Sequence, residues 1–384
     1  MFDKDPALFP IRRDYAYAAN SAIGPMYAPA AEAARTFLDA QVREGVLMAP
    51  RYAHVLDDFR SAAAAMLEVQ PDDVAYVSNT AEGVSLIANG YPFEAGDQVV
   101  TYVHEFPSNH FPWALQQERG VELVELSDVD PLGGLAPGRP RGWSMDELEA
   151  RVTDRTRVVA LSHVQFASGY AADLASLAGF CRARGIDLVI DAAQSLGALP
   201  VHPARLGIAA VVGSTWKWML ASRGAGLMYV SPELRSRLRV TVAGDATMTH
   251  RLDYLNRVWE PEPGSRRYEA STLPWEHLLT IERVCTEVFV RYGMEAVREE
   301  IFRLQDLLLD QIRNPAVRPL LFDRDHRSGI LSLSTERNAK DLAAALRAEG
   351  VIVTEQQGYV RVAPHFWISD EEAVRIGEAI DRLA

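Results

Sequence analysis

The sequence contains little cysteine and comparatively little positive charge. Among its 384 residues are two cysteines, and 39 Lys and Arg stand against 52 Asp and Glu, for a formal net charge of -13. Cys181 and Cys285 lie in separate helix-like segments, which indicates neither a disulfide framework nor a metal site, so we expect a cytoplasmic protein without a metal. The excess of acidic groups argues against nucleic acid and anionic membranes, because both partners require clustered Lys and Arg.

Long apolar runs are also missing. No run approaches the roughly 18 apolar residues that a membrane span requires, and the N-terminus "MFDKDPALFPIRRDY" lacks the basic and apolar regions of a signal peptide. The composition, 48% hydrophobic and 24% charged, is typical of a soluble globular chain long enough for two domains. We therefore expect a small-molecule or protein partner and no membrane.

Short β-rich runs alternate with helix-like segments through the first two thirds of the chain. The seven candidate strands lie at 74–78, 98–103, 121–126, 157–163, 187–191, 208–214 and 225–230. Helix-like stretches at 80–90, 108–119 and 174–185 separate most of them, which predicts an α/β fold with a mainly parallel sheet. Only "TWKWMLASRG" joins the last two strands, too short for a helical crossover, so the seventh strand should run antiparallel.

The pattern changes after about residue 232. Long amphipathic helices over 275–313 precede a smaller βαββα unit, and "SDVDPLGGLAPGRPRGW" predicts a surface loop before a helix that begins at Ser144. We expect an N-terminal segment (1–30) that packs on the small domain. A large domain (31–260) and a small α+β C-terminal domain (261–384) complete the chain.

Residues that follow the strands are the candidates for function, because ligands bind beyond the carboxyl ends of a parallel sheet. In "SNTAEGVSL", Asn79 and Thr80 can cap a helix, which leaves the N–H groups of Ala81 and Glu82 free for an anion such as phosphate. Any capped helix would have a similar pattern. Phe106 in "HEFPSNHFPW" could stack on a planar ring or belong to the core.

An acid and a lysine follow two later strands. Asp191 ends the apolar run "DLVID", with Gln194 close behind, and Lys217 lies in "GSTWKWM" after Ser214. Burial of either charge is costly without a partner, so the two could form an ion pair, or the lysine could be a neutral nucleophile. Together with an aromatic face and a phosphate cradle, they are the groups that pyridoxal 5'-phosphate (PLP) requires.

Ordered motifs along nearly the whole chain resemble the class V aminotransferase-like branch of the fold-type I PLP enzymes. This branch includes cysteine desulfurases, isopenicillin-N-epimerase-like proteins and kynureninase. The motifs are "YAANSAIGP", "SNTAEGVSL", "HEFPSNHFPW", "SHVQFASG", "DAAQSLG", "STWKWM", "RYEASTLP" and "RVAPHF". The resemblance implies a PLP cofactor, an amino-acid substrate and a homodimer with shared active sites.

The resemblance also implies a role for individual residues. Lys217 would form the Schiff base with the PLP aldehyde, Asp191 would hold the ring nitrogen, Gln194 the 3'-oxygen, and Phe106 would stack on the ring. The implied phosphate contacts are Thr80, Ala81, Glu82 and Ser214, together with Thr272 from the neighbouring subunit. Trp216 also belongs to the implied cofactor site, at a position where many members have histidine.

The late loop departs from the desulfurase pattern R-x-G-x-x-C-A. In "EQQGYVRVAP", Gln356 stands at the arginine position and Arg361 at that of the nucleophilic cysteine. Among the non-desulfurase members an arginine there can bind the substrate carboxylate, although it could instead form a salt bridge within the small domain. The resemblance places Asn20, Ala22 and Gln356 with Arg361 at the substrate. Phe166 replaces an asparagine of the desulfurases, which favours a bulky or hydrophobic substrate.

The leading hypothesis is a C–S lyase that acts by β-elimination on a cysteine-type substrate and is not a persulfide-forming desulfurase. An aminotransferase or an epimerase of the same family is the alternative, and a non-catalytic scaffold with this fold is a third. No G-x-G-x-x-G follows the first strand, which argues against a nicotinamide dehydrogenase.

Overall fold

A computed structural model describes residues 2–130 and 139–384. Its strands are β1 (Ala16–Tyr17), β2 (Val74–Val77), β3 (Gln98–Tyr102), β4 (Glu122–Leu126), β5 (Thr156–Ser162), β6 (Asp187–Asp191), β7 (Ala210–Ser214), β8 (Gly226–Val230), β9 (Val317–Pro319), β10 (Leu331–Thr335), β11 (Val351–Ile352), β12 (Thr354–Gln356) and β13 (Tyr359–Val362). The α-helices are α1 (Ala28–Glu44), α2 (Val55–Leu67), α3 (Thr80–Gly90), α4 (Pro107–Ala114), α5 (Met145–Arg151), α6 (Leu174–Ala183), α7 (Pro203–Leu206), α8 (Pro232–Arg237), α9 (Trp275–Val284), α10 (Met294–Leu309), α11 (Ala339–Ala348) and α12 (Asp370–Leu383).

Seven strands form the central sheet in the order β2-β8-β7-β6-β5-β3-β4. Strand β8 runs antiparallel to both β2 and β7, and the remaining pairs are parallel. This confirms the predicted α/β fold, its seven strands and the antiparallel seventh strand. Strands β7 and β8 are buried along their whole length, since helices cover both faces of the sheet.

The C-terminal part of the chain forms a second, antiparallel sheet of four strands in the order β12-β13-β10-β9. Strand β9 is not among the predicted elements, because three residues carry too little pattern to be recognised. Near the N-terminus, β1 pairs with β11 in parallel. The exact bounds of the N-terminal segment and the two domains stay a prediction.

The predicted Pro- and Gly-rich surface loop lies only partly in the described structure, because residues 131–138 fall outside it. Its flanks pair through an isolated bridge between Val129 and Gly142. Helix α5 follows as predicted, and the Ser144 side chain caps it by accepting a hydrogen bond from the Glu147 N–H at 3.2 Å. Among the described residues no helix is long and apolar enough to cross a membrane.

The carboxyl ends of the central strands meet at one edge of the sheet. Ser162 at the end of β5 pairs with Asp191 at the end of β6, and Ser214 at the end of β7 pairs with Gly226 at the start of β8. The N-terminal segment lies against the same edge, where the Gly24 N–H donates to the Trp216 carbonyl at 2.9 Å. A Cβ on Gly24 would lie 2.0 Å from the Lys217 carbonyl oxygen, so the two backbones are in close contact there.

Candidate active site

A cavity of about 390 Å³ lies at this edge of the sheet. Most of the predicted site residues line it: Ala22, Thr80, Phe106, Asp191, Gln194, Ser214, Trp216, Lys217, Gln356 and Arg361. They come from the N-terminal segment, four strand ends and the second sheet. The cavity therefore brings together groups that are more than 300 residues apart in sequence.

Lys217 lies on the turn between β7 and β8, with its side chain enclosed by the cavity wall. Burial lowers the pKa of the Lys217 ammonium from its usual 10.5 to about 8, and the charge of Asp191 opposes this shift. The Nζ atom is 5.5 Å from the centroid of the Phe106 ring. At pH 7 about a tenth of the amine is therefore neutral, far more than for an ordinary lysine, and this fraction can act as a nucleophile and base.

Asp191 is buried at the end of β6. Its Oδ1 atom accepts a hydrogen bond from the Ala193 N–H at 2.8 Å. Burial raises the pKa of its carboxyl from 3.8 to about 7, and the nearby buried Glu105 adds to the shift. Lys217 acts on Asp191 only through its charge, so the ion pair that the sequence left open is not formed. Asp191 would be stabilised by a cationic group entering the cavity.

Gln194 has a fixed orientation. Its Nε2 donates to the Ser21 carbonyl at 2.9 Å, and its Oε1 accepts from the Trp218 indole N–H at 2.9 Å. One N–H of its amide remains for a ligand. Sequence reasoning did not identify the role of Trp218, which is fully buried and holds the amide in this orientation.

The end of the cavity near α3 is polar. Thr80 lines the cavity as the first residue of the helix, and the Ser214 hydroxyl is buried without a hydrogen-bond partner among the described residues. The prediction that the Glu82 N–H is free for an anion is wrong, because this group donates to the Asn79 side chain at 2.9 Å. Ala81 lines an adjoining open groove rather than the cavity itself.

The second sheet contributes a buried arginine to the cavity wall. The Arg361 guanidinium donates to the Phe166 carbonyl and, at 3.4 Å, to the Thr354 hydroxyl. Burial lowers its pKa from 12.5 to about 10, and Glu355 opposes the shift through its charge alone. The salt bridge that the sequence left open for Arg361 is therefore not formed, and a carboxylate in the cavity could pair with it.

Besides Ala81 and Glu82, two further predicted residues do not line the cavity. Asn20 is fully buried and its Nδ2 donates to the Ala363 carbonyl at 2.8 Å, so it attaches the N-terminal segment to the residue that follows β13. Thr272 does not line the cavity of its own chain. Its contact with a neighbouring subunit, and the homodimer itself, stay predictions.

Aromatic side chains enclose one side of the cavity. The rings of Phe106 and Phe166 meet edge to face with centroids 5.3 Å apart, and Trp216 also lines the wall. Phe106 is 40% exposed, so its ring is available for stacking. This arrangement supports the apolar pocket that the sequence predicts.

Several lining residues are absent from the sequence prediction. Ser162 ends β5 beside Asp191, and the strand-end rule that identified Asp191 would also have identified it. Ser21, Ile23 and Ser108 flank residues that were predicted. Arg223 also lines the cavity, and only the return of β8 to the same edge of the sheet could have indicated it. Among the described residues, no three His, Cys, Asp or Glu side chains are grouped so as to hold a metal ion.

Comparisons with known proteins agree with this geometry. The model of the aminotransferase class-V family matches residues 17–377. A probable cysteine desulfurase of Methanothermobacter thermautotrophicus is 24% identical over 98% of this chain and 96% of its own length. The isopenicillin N epimerase of Streptomyces clavuligerus is 26% identical over 84% of this chain and 83% of its own.

Solved structures show the same fold. C-DES with glycine covalently linked to its PLP cofactor superposes with a TM-score of 0.89 at 18% identity, and each chain is fully covered. The cysteine desulfurase of Thermococcus onnurineus has a TM-score of 0.85 at 20% identity, with 100% of this chain and 98% of that chain covered. The family match spans most of the sequence, and the chain therefore belongs to the class V aminotransferase family of fold-type I PLP enzymes.

Proposed function

We propose that this enzyme is a PLP-dependent lyase that cleaves the C–S bond of a cysteine-type amino acid by β-elimination. The observation that carries the proposal is one cavity that holds Lys217, Asp191 and the unpaired Arg361 but no thiol. An amine, a ring-nitrogen partner and a carboxylate receptor are needed for any reaction at Cα of an amino acid. The missing thiol supports a reaction in which the sulfur is not carried as a persulfide on a cysteine of the enzyme.

The residues present fit the cofactor. The buried Ser214 hydroxyl has no hydrogen-bond partner among the described residues, and a phosphate oxygen would satisfy it. The raised pKa of Asp191 shows that its anionic form has no adequate partner, and a protonated pyridine nitrogen would provide one. Phe106 offers an aromatic face and Gln194 a spare N–H. When bound, PLP would supply an electron sink for the electron pair left at Cα.

The chain's own groups orient the substrate and move the proton. Arg361 binds the substrate carboxylate with its planar guanidinium. Lys217, as the neutral amine, removes the proton from Cα, and its depressed pKa makes this form available. Departure of the thiolate from Cβ then requires one proton, which the Lys217 ammonium can return. In the complete reaction, a cysteine conjugate and water give a thiol, pyruvate and ammonia.

The cysteines are unsuited to accept sulfur. Cys181 and Cys285 are both buried and neither lines the cavity. Burial raises the thiol pKa of Cys181 to about 12 and raises that of Cys285 as well, so neither is a thiolate at neutral pH. The sulfur of the substrate therefore leaves as a thiol or persulfide product and is not transferred to the enzyme.

The aromatic wall indicates which substituent the substrate carries. Phe166, Trp216 and Ile23 line the cavity, and they favour a bulky or hydrophobic group on the sulfur atom. Transamination and epimerisation begin with the same proton removal by Lys217. They are therefore the alternative outcomes of product analysis.

Replacement of the lysine tests the cofactor assignment. We expect wild-type protein to be yellow and, after borohydride treatment, to carry the cofactor on the peptide that contains Lys217. In Lys217→Ala the amine is absent, so that modification should disappear and the rate of C–S cleavage should fall by at least about 10³-fold. Mass spectrometry of the digested chain checks this. An unmodified Lys217 in treated wild-type protein would contradict the assignment.

The Asp191 carboxyl should make the stability of the cofactor-free protein depend on pH. Its pKa is raised from 3.8 to about 7, so the folded form binds the proton more tightly and loses stability as pH rises between these values. Asp191→Asn cannot ionise, so its stability does not fall in this way. The unfolding free energy of Asp191→Asn minus that of wild type should therefore be larger at pH 8 than at pH 5, by roughly 2 kcal/mol. Urea denaturation at both pH values measures this difference. An equal effect of the substitution at pH 5 and pH 8 would contradict the raised pKa of Asp191.

Product analysis of a cysteine-free variant tests the reaction type. We expect Cys181→Ala combined with Cys285→Ala to retain wild-type kcat within about twofold, because neither thiol reaches the cavity. Wild type and variant should both release pyruvate and ammonia from S-substituted cysteines. Loss of activity in a variant with unchanged stability would show that a thiol takes part. Release of a keto acid that retains the side chain, or of the D-amino acid, would instead identify transamination or epimerisation.

Arg361 should control substrate affinity. In Arg361→Gln the charged partner of the carboxylate is lost while the size of the side chain is roughly kept. We expect kcat/KM for cysteine conjugates to fall by about 10²-fold, mainly through KM. Steady-state kinetics with the matching decarboxylated amines provide the control. These amines lack the carboxylate, so wild type and Arg361→Gln should use them equally poorly. A wild-type KM in the variant would exclude this role.

A further inference from the structure

We infer that Arg223 supplies the positive charge for the PLP phosphate in this enzyme. The inference rests on the proposed function and concerns a residue for which the sequence offered no role. Arg223 lines the cavity on the turn that leads from Lys217 into β8. Its side chain is exposed to solvent at the mouth and forms no hydrogen bond or ion pair with any described residue.

The sheet places this turn at the phosphate end of the cavity. Gly226, the first residue of β8, pairs on one side with Val77 at the end of β2 and on the other with Ser214 at the end of β7. Helix α3 begins at Thr80, directly after β2. Arg223 comes shortly before Gly226 in the chain, and Gly226 lies between the ends of β2 and β7. Thr80 follows β2 and Ser214 ends β7, so the turn that carries Arg223 is near both.

The backbone on both sides of Arg223 is held in place. The Thr215 hydroxyl lies 2.7 Å from the Ser222 carbonyl oxygen and 3.0 Å from that of Ala225, and its single proton is shared between them. The Tyr76 hydroxyl donates to the Gly224 carbonyl at 2.8 Å, and Gly224 itself has φ +76°. These bonds restrict the turn, so the arginine can bind an anion with little loss of backbone entropy.

The other groups at this end do not neutralise a phosphate. The Ser214 hydroxyl is a neutral donor, and the Glu82 N–H is already bound to Asn79. The Glu82 carboxylate, which accepts hydrogen bonds from the Ser78 N–H and hydroxyl, adds a negative charge to the same helix turn. Trp216, next to the lysine, is uncharged, and the Arg361 guanidinium donates to the Phe166 carbonyl and has the substrate carboxylate as its proposed partner. Among the cavity-lining residues that the structure describes, Arg223 is therefore the cation available to neutralise a dianionic phosphate near Ser214.

The experiment compares two ligands that differ only in the phosphate. Dissociation constants of PLP and of pyridoxal are measured by absorbance on cofactor-free wild type, Arg223→Gln and Arg223→Lys at fixed ionic strength. Both ligands carry the aldehyde, so the bond to Lys217 cancels in the comparison. We expect Arg223→Gln to weaken PLP binding by about tenfold or more and pyridoxal binding by less than about twofold. Arg223→Lys should retain part of the preference for PLP.

Arg318→Gln is the matched control. Arg318 is also exposed and forms no ion pair with a described residue, but it lies on β9, and its substitution removes the same charge away from the cavity. It should bind both ligands as wild type does. Equal weakening of both ligands in Arg223→Gln, or no change in either, would overturn the inference. Absence of PLP binding to the wild type would instead refute the proposed function.

Discussion

The site depends on two buried ionisable groups that do not neutralise each other. Lys217 and Asp191 lie in one cavity, yet burial lowers the pKa of the amine to about 8 and raises that of the acid to about 7. A direct ion pair would restore both ordinary charges and remove the nucleophile. Because the pair is not formed, the amine stays reactive and the acid stays available for a cationic ring. The charged form of each group is thus unfavourable in the folded chain until a cofactor of the right chemistry occupies the cavity.

The fold maintains this separation. Asp191 and Lys217 follow adjacent strands, β6 and β7, but the acid is held by the Ala193 N–H while the lysine lies on the turn into β8. Gly24 contacts the Lys217 backbone, and Gly197 has no room for a side chain against the Trp218 carbonyl, 2.4 Å from the position of a Cβ. These close contacts limit how far the turn can shift. The reactive amine is therefore placed by packing rather than by a salt bridge.

The cavity combines groups from both sheets. Arg361, on the second sheet, is buried in its wall, and the polar groups near α3 come from the central sheet. The relatives include both desulfurases and an epimerase, so membership of the family leaves the reaction open. In this chain Arg361, Phe166 and Trp216 line the cavity, so a guanidinium and an aromatic wall limit what can enter.

The sequence by itself determined the seven strands of the central sheet, the antiparallel direction of β8, and Lys217 and Asp191 as candidates, because periodicity and strand ends are local features that neighbouring residues define. Tertiary structure alone decided which polar groups remained free. The Glu82 N–H is used by the Asn79 side chain, Asn20 binds the distant Ala363 carbonyl, and Arg223 reaches the cavity only because β8 lies between β2 and β7. Hydrogen bonds compete for the same donors, and long-range pairings bring remote residues together, so neither outcome can be read from spacing along the chain.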